Sequence, residues 1–270
     1  MHLREIYPSP ALSQFIRLYR IIDFEFQHQL AIPPKAYSPR PEQCLQFFPS
    51  PTLIAYKEKK VKPKSALLMG QHTIVNHRIV YKKFLSLQVV FQPGALYRLM
   101  GLSINELTNE SLEAELVLGR QIESVNDQLY FAKNHQHMIQ IVEAYLLNLF
   151  GNTRYDALPI DRMTRWMFDP KENLDWYVSN ACLSHRQFDR KFIERVGVSP
   201  KEYLRVVRFD QAYRMKNSKP EMNWFDIAVA CGYYDYQHLS KETKAFTGQT
   251  PASFFSMDSP ERLLGTEEIY

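Results

Sequence analysis

Four polar side chains crowd a six-residue stretch, His185, Arg186, Asp189 and Arg190, and four more stand 51 residues further on as Tyr236, Gln237, Ser240 and Lys241. Their types suit one kind of chemistry. An arginine can bond both acceptors of a guanine edge, a glutamine can bond adenine, and a carboxylate can accept from the cytosine amine. Each also reads as an ordinary solvent-facing helix residue, and Asp189 has a further reading as a tether for Arg186 or Arg190. Lys191, Arg195, Lys201, Lys244 and Gln249 suit phosphate or solvent, and phosphate contacts position a protein without reading sequence. From Ser184 to Lys219 there are ten Lys or Arg against four Asp or Glu, a local surplus on a chain whose formal charge is only +4. Basic residues over a candidate reading stretch fit neutralisation of phosphates.

Residues of this kind need a rigid element to aim them, and the spacing supplies one twice. Ser184 to Pro200 aligns with Asp235 to Pro251 at a constant offset of 51 residues, with Phe188 on Leu239, Arg190 on Lys241 and Gly197 on Gly248. Upstream the offset becomes 50, Tyr177-Val178 matching Ile227-Ala228, so the second copy carries one extra residue in its turn. Each copy predicts a short helix (Asn173 to Asn180; Trp224 to Ala230), a tight turn, and a second helix capped by Ser184 or Asp235. Gly197 and Gly248 end those second helices, and Pro200 and Pro251 open the next. Phe188 and Leu239 set the phase, leaving the eight polar residues above on the outer face. Helix, turn and capped helix is the plan whose second helix enters a DNA major groove. Some positions depart from it. Cys182 stands where the second copy has Gly232, Val178 where it has Ala228, and Thr243 where the first has Phe192, while Trp176 and Tyr177 are bulky.

The rest of the 270 residues is different in character. Prolines are dense before residue 64, and between them lie short runs with strand propensity, Cys44 to Phe48, Leu53 to Tyr56, His77 to Val80 and Phe84 to Phe91. Such strands between turns predict a small barrel or sandwich. Ala95 to Met100 reads as helical. From about Val125 to Phe150 the spacing of Ile139, Val142, Tyr145, Leu146 and Leu149 predicts one helix face, which either covers the barrel or pairs with a second copy. The expected organisation is a β-rich domain over 1–152 ending in helices, an all-α domain of two helix-turn-helix units on a linker helix over 156–257, and a tail over 258–270.

The residues of the second copy, Asp226 to Asp235, His238-Leu239 and Phe246 to Pro251, resemble the C-terminal signature of AraC/XylS-type transcription regulators. Leu183-Ser184, Phe188 to Phe192 and Gly197 to Pro200 resemble that family's first helix-turn-helix, and Tyr203-Leu204 with Arg208 to Ala212 its linker helix. Phe91 to Leu99 and Asn105 to Thr108 look like segments of the cupin-like sensor domains in one branch. The resemblance implies a sequence-specific regulator of transcription, leaning to activation. Its partners would be double-stranded promoter DNA and RNA polymerase, and its N-terminal domain would sense a small molecule or join copies into a homodimer.

Other classes are poorly served by the sequence. No P-loop, dinucleotide glycine pattern or G-x-S-x-G is present. His72 and His77 have a spacing that could serve a cupin-like metal site, but no third ligand joins them, so neither an enzyme nor a cofactor is expected. A cupin-like binder or enzyme with an accessory helical domain is the alternative. Cys44, Cys182 and Cys231 are too scattered for a zinc site or for a repair protein's reactive cysteine. The start lacks a signal-peptide core and no apolar run reaches a membrane span, so a cytoplasmic, nucleoid-associated protein is expected.

Overall fold

The computed structural model describes residues 2–25, 35–50, 54–56, 59–61, 65–80, 83–101, 103–151 and 157–256. The junction between the two expected domains, at 152–156, and the expected tail at 258–270 fall outside them.

The chain opens with ten short strands: β1 (His2–Ile6), β2 (Ile16–Glu25), β3 (Lys35–Tyr37), β4 (Cys44–Phe47), β5 (Ile54–Tyr56), β6 (Lys59–Val61), β7 (Ala66–Met69), β8 (Asn76–Val80), β9 (Lys83–Phe91) and, after helix α1 (Ala95–Met100) and a 3₁₀ turn at Ile104–Leu107, β10 (Ser111–Glu113). They form two antiparallel sheets, in the orders β1-β2-β9-β4-β7-β10 and β3-β8-β5-β6. The long pair β2 and β9, with Ile21 opposite Leu87 and Tyr19 opposite Val89, forms the middle of the larger sheet. β9 is buried on both faces, which is why its sequence is a nearly continuous apolar run and not a clean alternation. Leu87, Val89 and Phe91 face the main core, while Val90 packs with Leu18, Cys44 and Met69 on the other side.

Helices α2 (Glu115–Leu118), α3 (Gln121–Tyr130) and α4 (His135–Gly151) follow. The single helix expected over about 125–150 is therefore two. Asn134 makes the break, its side-chain oxygen accepting the His137 amide at 2.9 Å and so capping a new helix. Ile139, Val142 and Leu146 are buried in the same core as the large sheet, so α4 covers the sheet. Strands β1 and β2 have no counterpart in the sequence reading. Arg17, Arg20 and Asp23 interrupt their apolar pattern, and Arg20 is nonetheless buried, bonded to Glu5 at 2.7 Å, Glu42 at 2.9 Å and Gln88 at 3.0 Å.

The remainder is helical: α5 (Pro159–Trp166), α6 (Leu174–Asn180), α7 (His185–Val196), α8 (Pro200–Ser218), α9 (Trp224–Ala230), α10 (Tyr236–Thr247) and α11 (Pro251–Ser256). The repeat is thus α6–α7 and α9–α10, carried at the two ends of α8, which spans about 28 Å at 1.5 Å per residue. Among the described residues no helix is long and apolar enough to cross a membrane.

Candidate DNA interface

Each candidate reading helix, α7 and α10, begins on a satisfied cap. The Gln187 amide donates to Ser184 Oγ and the Gln187 side chain accepts from the Ser184 amide, a reciprocal box, while Asp235 accepts the His238 amide at 2.7 Å. The preceding helices are capped alike by Asn173 and Asn223. The two turns match despite their difference in sequence. Gly232 takes φ 76° and Cys182 takes φ 54°, so the cysteine holds the left-handed conformation that glycine supplies in the second copy.

Behind α7 lies an aromatic core. Phe188 and Phe192 stack with centroids 5.9 Å apart, and Phe192 meets Tyr203 of α8 edge-on at 5.6 Å. Tyr177 and Val178 are buried in it, and Trp176 stacks on Trp166 of α5 at 5.7 Å. The core behind α10 is smaller, with Ile227, Ala228, Cys231, Tyr233 and Leu239 packed on Ala212. Thr243 replaces the second ring, its hydroxyl donating to Leu239 O at 2.9 Å.

Arg195 of α7 and Glu242 of α10 are charged yet buried. Arg195 was expected at phosphate or in solvent, but it is buried at the end of α7, donating to Asp161 of α5 at 2.8 Å and lying over the Tyr97 ring. Glu242 is buried on the inner face of α10, accepting from Arg205 at 2.8 Å and Arg208 at 2.9 Å. Burial works against the Arg208 charge, but its bonds and charge pairing with Glu242 prevail and hold the guanidinium above its ordinary value. Arg208 is thus a structural ion-pair residue of the linker helix. Both buried charges were visible in the spacing. Phe188, Phe192 and Arg195, like Leu239, Glu242, Thr243 and Phe246, recur at three- and four-residue steps along one helix face.

The residues singled out for base reading lie on the opposite face. His185, Arg186, Asp189 and Arg190 are exposed over the first half of α7, and Lys191 is half-buried. His185 Nε2 lies 3.4 Å from Asp175, and Arg190 lies 3.9 Å from Glu194. Asp189 tethers neither arginine, and among the described residues it forms no ion pair. On α10, Gln237, Lys241 and Lys244 are exposed while Tyr236 and Ser240 are half-buried. Both sets cluster in the N-terminal half of their helix, where the dipole favours an approaching phosphate. Among the described residues no group of three His, Cys, Asp or Glu could hold a metal ion, and the His77 side chain lies outside what is described.

Residues 177–257, which hold both modules, match the model of a helix-turn-helix domain, and residues 4–113 match that of a domain of unknown function. The transcriptional activator RhaR of Escherichia coli (strain K12) is 26% identical over 161 residues, 54% of this chain and 55% of RhaR. In these matches the chain is similar to AraC/XylS-type regulators. It spans about half the length of the curated relatives it matches. Among solved structures, an apo lysine-to-alanine variant of ToxT from Vibrio cholerae strain SCE256 is 12% identical, with 93% of this chain and 99% of that chain covered and a TM-score of 0.47. The DNA-binding domain of AdpA, solved with a target DNA, is 22% identical, with 40% of this chain and 100% of that chain covered and a TM-score of 0.36.

Proposed function

We propose that the chain is a sequence-specific regulator of transcription, probing double-stranded promoter DNA with the exposed halves of α7 and α10. The observation that carries this reading is the pair of capped helices, each presenting polar side chains outward, mounted on one continuous α8. His185, Arg186, Asp189 and Arg190 read bases in one groove segment and Tyr236, Gln237, Ser240 and Lys241 in the next, with Lys191 and Lys244 at phosphates. With Asp189 free of its arginine neighbours, its carboxylate is available to accept from a cytosine amine. The domain over 1–152 is the sensor, biasing the 156–257 domain through a small molecule or through a second copy of the chain. A ligand does this only by its different affinity for two arrangements. The likeness to the transcriptional activator RhaR supports activation, which we assign to recruitment of RNA polymerase on nucleoid DNA in the cytoplasm, with no catalytic step or cofactor.

Selection of bound sequences from random duplex DNA, followed by a salt titration of the winner, tests this. A motif of two blocks about one helical turn apart is expected. Enrichment of nothing, with binding that simply collapses in salt, sinks the reading. On the selected site Arg186→Ala is expected to cost about 1–3 kcal/mol and to relax the preference at one base pair. An equal loss on every sequence moves Arg186 to phosphate.

A further inference from the structure

The last carbonyls of an α-helix have no partner within the helix and must find one elsewhere. At the end of α7 those partners come from the sensor domain. Gln43 Nε2 donates to Val196 O at 3.0 Å and to Arg195 O at 3.3 Å, and Thr108 Oγ1 donates to Gly197 O at 2.7 Å. The end of α10 is met in the same way, the Val75 amide donating to Phe246 O at 2.9 Å while its side chain joins the cluster of Val206, Phe209 and Phe246. Between these points, Arg214 of α8 approaches Glu42 of the sensor at 3.7 Å. The sensor therefore grips both reading helices at their C-terminal ends and the helix that joins them, leaving the N-terminal halves open.

The gripping points are also tied to one another. The Gln43 carbonyl accepts from Phe91 of β9 at 2.9 Å, which anchors it to the central strand. The loop carrying Val75 is bonded to the turn carrying Thr108, Thr73 N donating to Asn109 Oδ1 at 2.7 Å and Asn109 N to Gln71 O at 2.9 Å. Gln71 Nε2 in turn donates to Arg40 O at 2.6 Å, closing the chain of bonds onto the segment of Glu42 and Gln43. A buried, mutually bonded polar network of this kind fixes geometry beyond what its separate bonds would. At Gly197 the fit leaves no room, since a Cβ there would lie 2.7 Å from Thr108 Oγ1.

We propose that the sensor domain is the template that sets the separation and angle of the two reading helices, with Gln43, Thr108 and Val75 as its positioning residues. The proposal rests on the reading of α7 and α10 as DNA-reading helices. A signal in the sensor would then change which spacing of the two DNA blocks is accepted, with the sequence of each block unchanged.

The test uses the full chain and duplexes carrying both selected blocks, with the spacer lengthened or shortened by one base pair, beside duplexes carrying one block alone. Wild type is expected to lose about ten-fold in affinity at either wrong spacing, because simultaneous engagement fails. Gln43→Ala with Thr108→Val is expected to reduce that loss to about three-fold or less while single-block affinities stay within about two-fold. Thr108→Ser, which keeps the hydroxyl, restores the sharp profile to Thr108→Val. Val75→Pro removes the amide bond at the α10 end, together with the valine side chain packed on Phe246, and is expected to flatten the profile in the same way, which covers the case of an unfolded double variant. An unchanged spacing profile overturns the proposal, and so does a fall in single-block affinity that matches the two-block fall. If wild type selects no two-block site, the failure belongs to the DNA reading itself.

Discussion

The two helix-turn-helix modules share caps, turns and terminal glycines, yet they are built on different interiors. The first has three packed aromatic rings, two stacked and the third edge-on, and an ion pair, Arg195 with Asp161, whose side chains are only 4% and 5% exposed. The second gives up one ring to Thr243 and has Glu242 reaching out to two arginines of α8 that remain partly in water. The plan is thus set by the ends of its helices, where caps and left-handed residues fix the chain path, and the interior is free to vary. What varies is how each reading helix is held: by packing in the first module, and by charges on the linker helix in the second.

Several substitutions would break or sharpen that contrast. The largest effect is expected from Phe192→Ala, about 3–5 kcal/mol of lost stability from the emptied ring position. Thr243→Ala at the equivalent place should cost only about 1 kcal/mol, the value of one hydroxyl bond. Equal losses in denaturant melts would end the distinction between the interiors. Next comes Glu242→Ala. Breaking a fully buried pair costs several kcal/mol, but Arg205 and Arg208 are 36% and 28% exposed and can turn to solvent, so about 2 kcal/mol is expected. Binding to the block read by α10 should weaken more than binding to the block read by α7, and the reverse order would misplace the Glu242 contact.

Acid should act at a third place, the domain junction. Burial alone would raise the Glu42 carboxyl, but Arg20 and Arg17 outweigh it and hold the group well below its ordinary value of 4.5. The folded value lies under the unfolded one, so the stability it gives is full above pH 4.5 and is lost as pH falls below it. Denaturant melts across that window should show a steeper decline for wild type than for Glu42→Gln. Parallel declines would remove Glu42 as the source. The smallest change is expected at the turn. Cys182→Gly relieves a left-handed cysteine but loosens the unfolded chain, and the balance should lie within about 1 kcal/mol of zero. A larger loss would mean that the turns are not equivalent.

Much of this was legible in the sequence because repetition exposes local rules. Ser184, Asp235, Gly197 and Gly248 act within one helical turn of themselves, and their roles follow from residue type and place. The outward placement of Arg186 and Gln237 followed equally from the phase of Phe188 and Leu239. Arg195 was misplaced because charge suggested solvent, although its seven-residue step from Phe188 put it on the inner face. Its partner Asp161 is 34 residues away, and pairing at that range leaves no mark in spacing. The same holds for Glu42 with Arg20 and for Gln43 with Val196, which depend on how two domains meet. Strands β1 and β2 were hidden for a related reason, since the charges that break their pattern are paired with residues far along the chain, Arg20 with Glu5 and Glu42 and Asp23 with His135.

The one-residue slip between the two copies falls in the turn between α9 and α10 and leaves α8 untouched. The location matters for how such a chain tolerates insertions. A turn absorbs an extra residue by bulging. A residue added inside α8 would advance everything after it by about 1.5 Å and swing it by about 100° around the helix axis. The α10 helix would then face away from the DNA side of α7, and the contacts it makes along α8, such as Arg205 with Glu242 and Val206 with Phe246, would lose their register with the core behind α7. Length variation among chains of this design should therefore collect in the turns, with the residue count of α8 held constant.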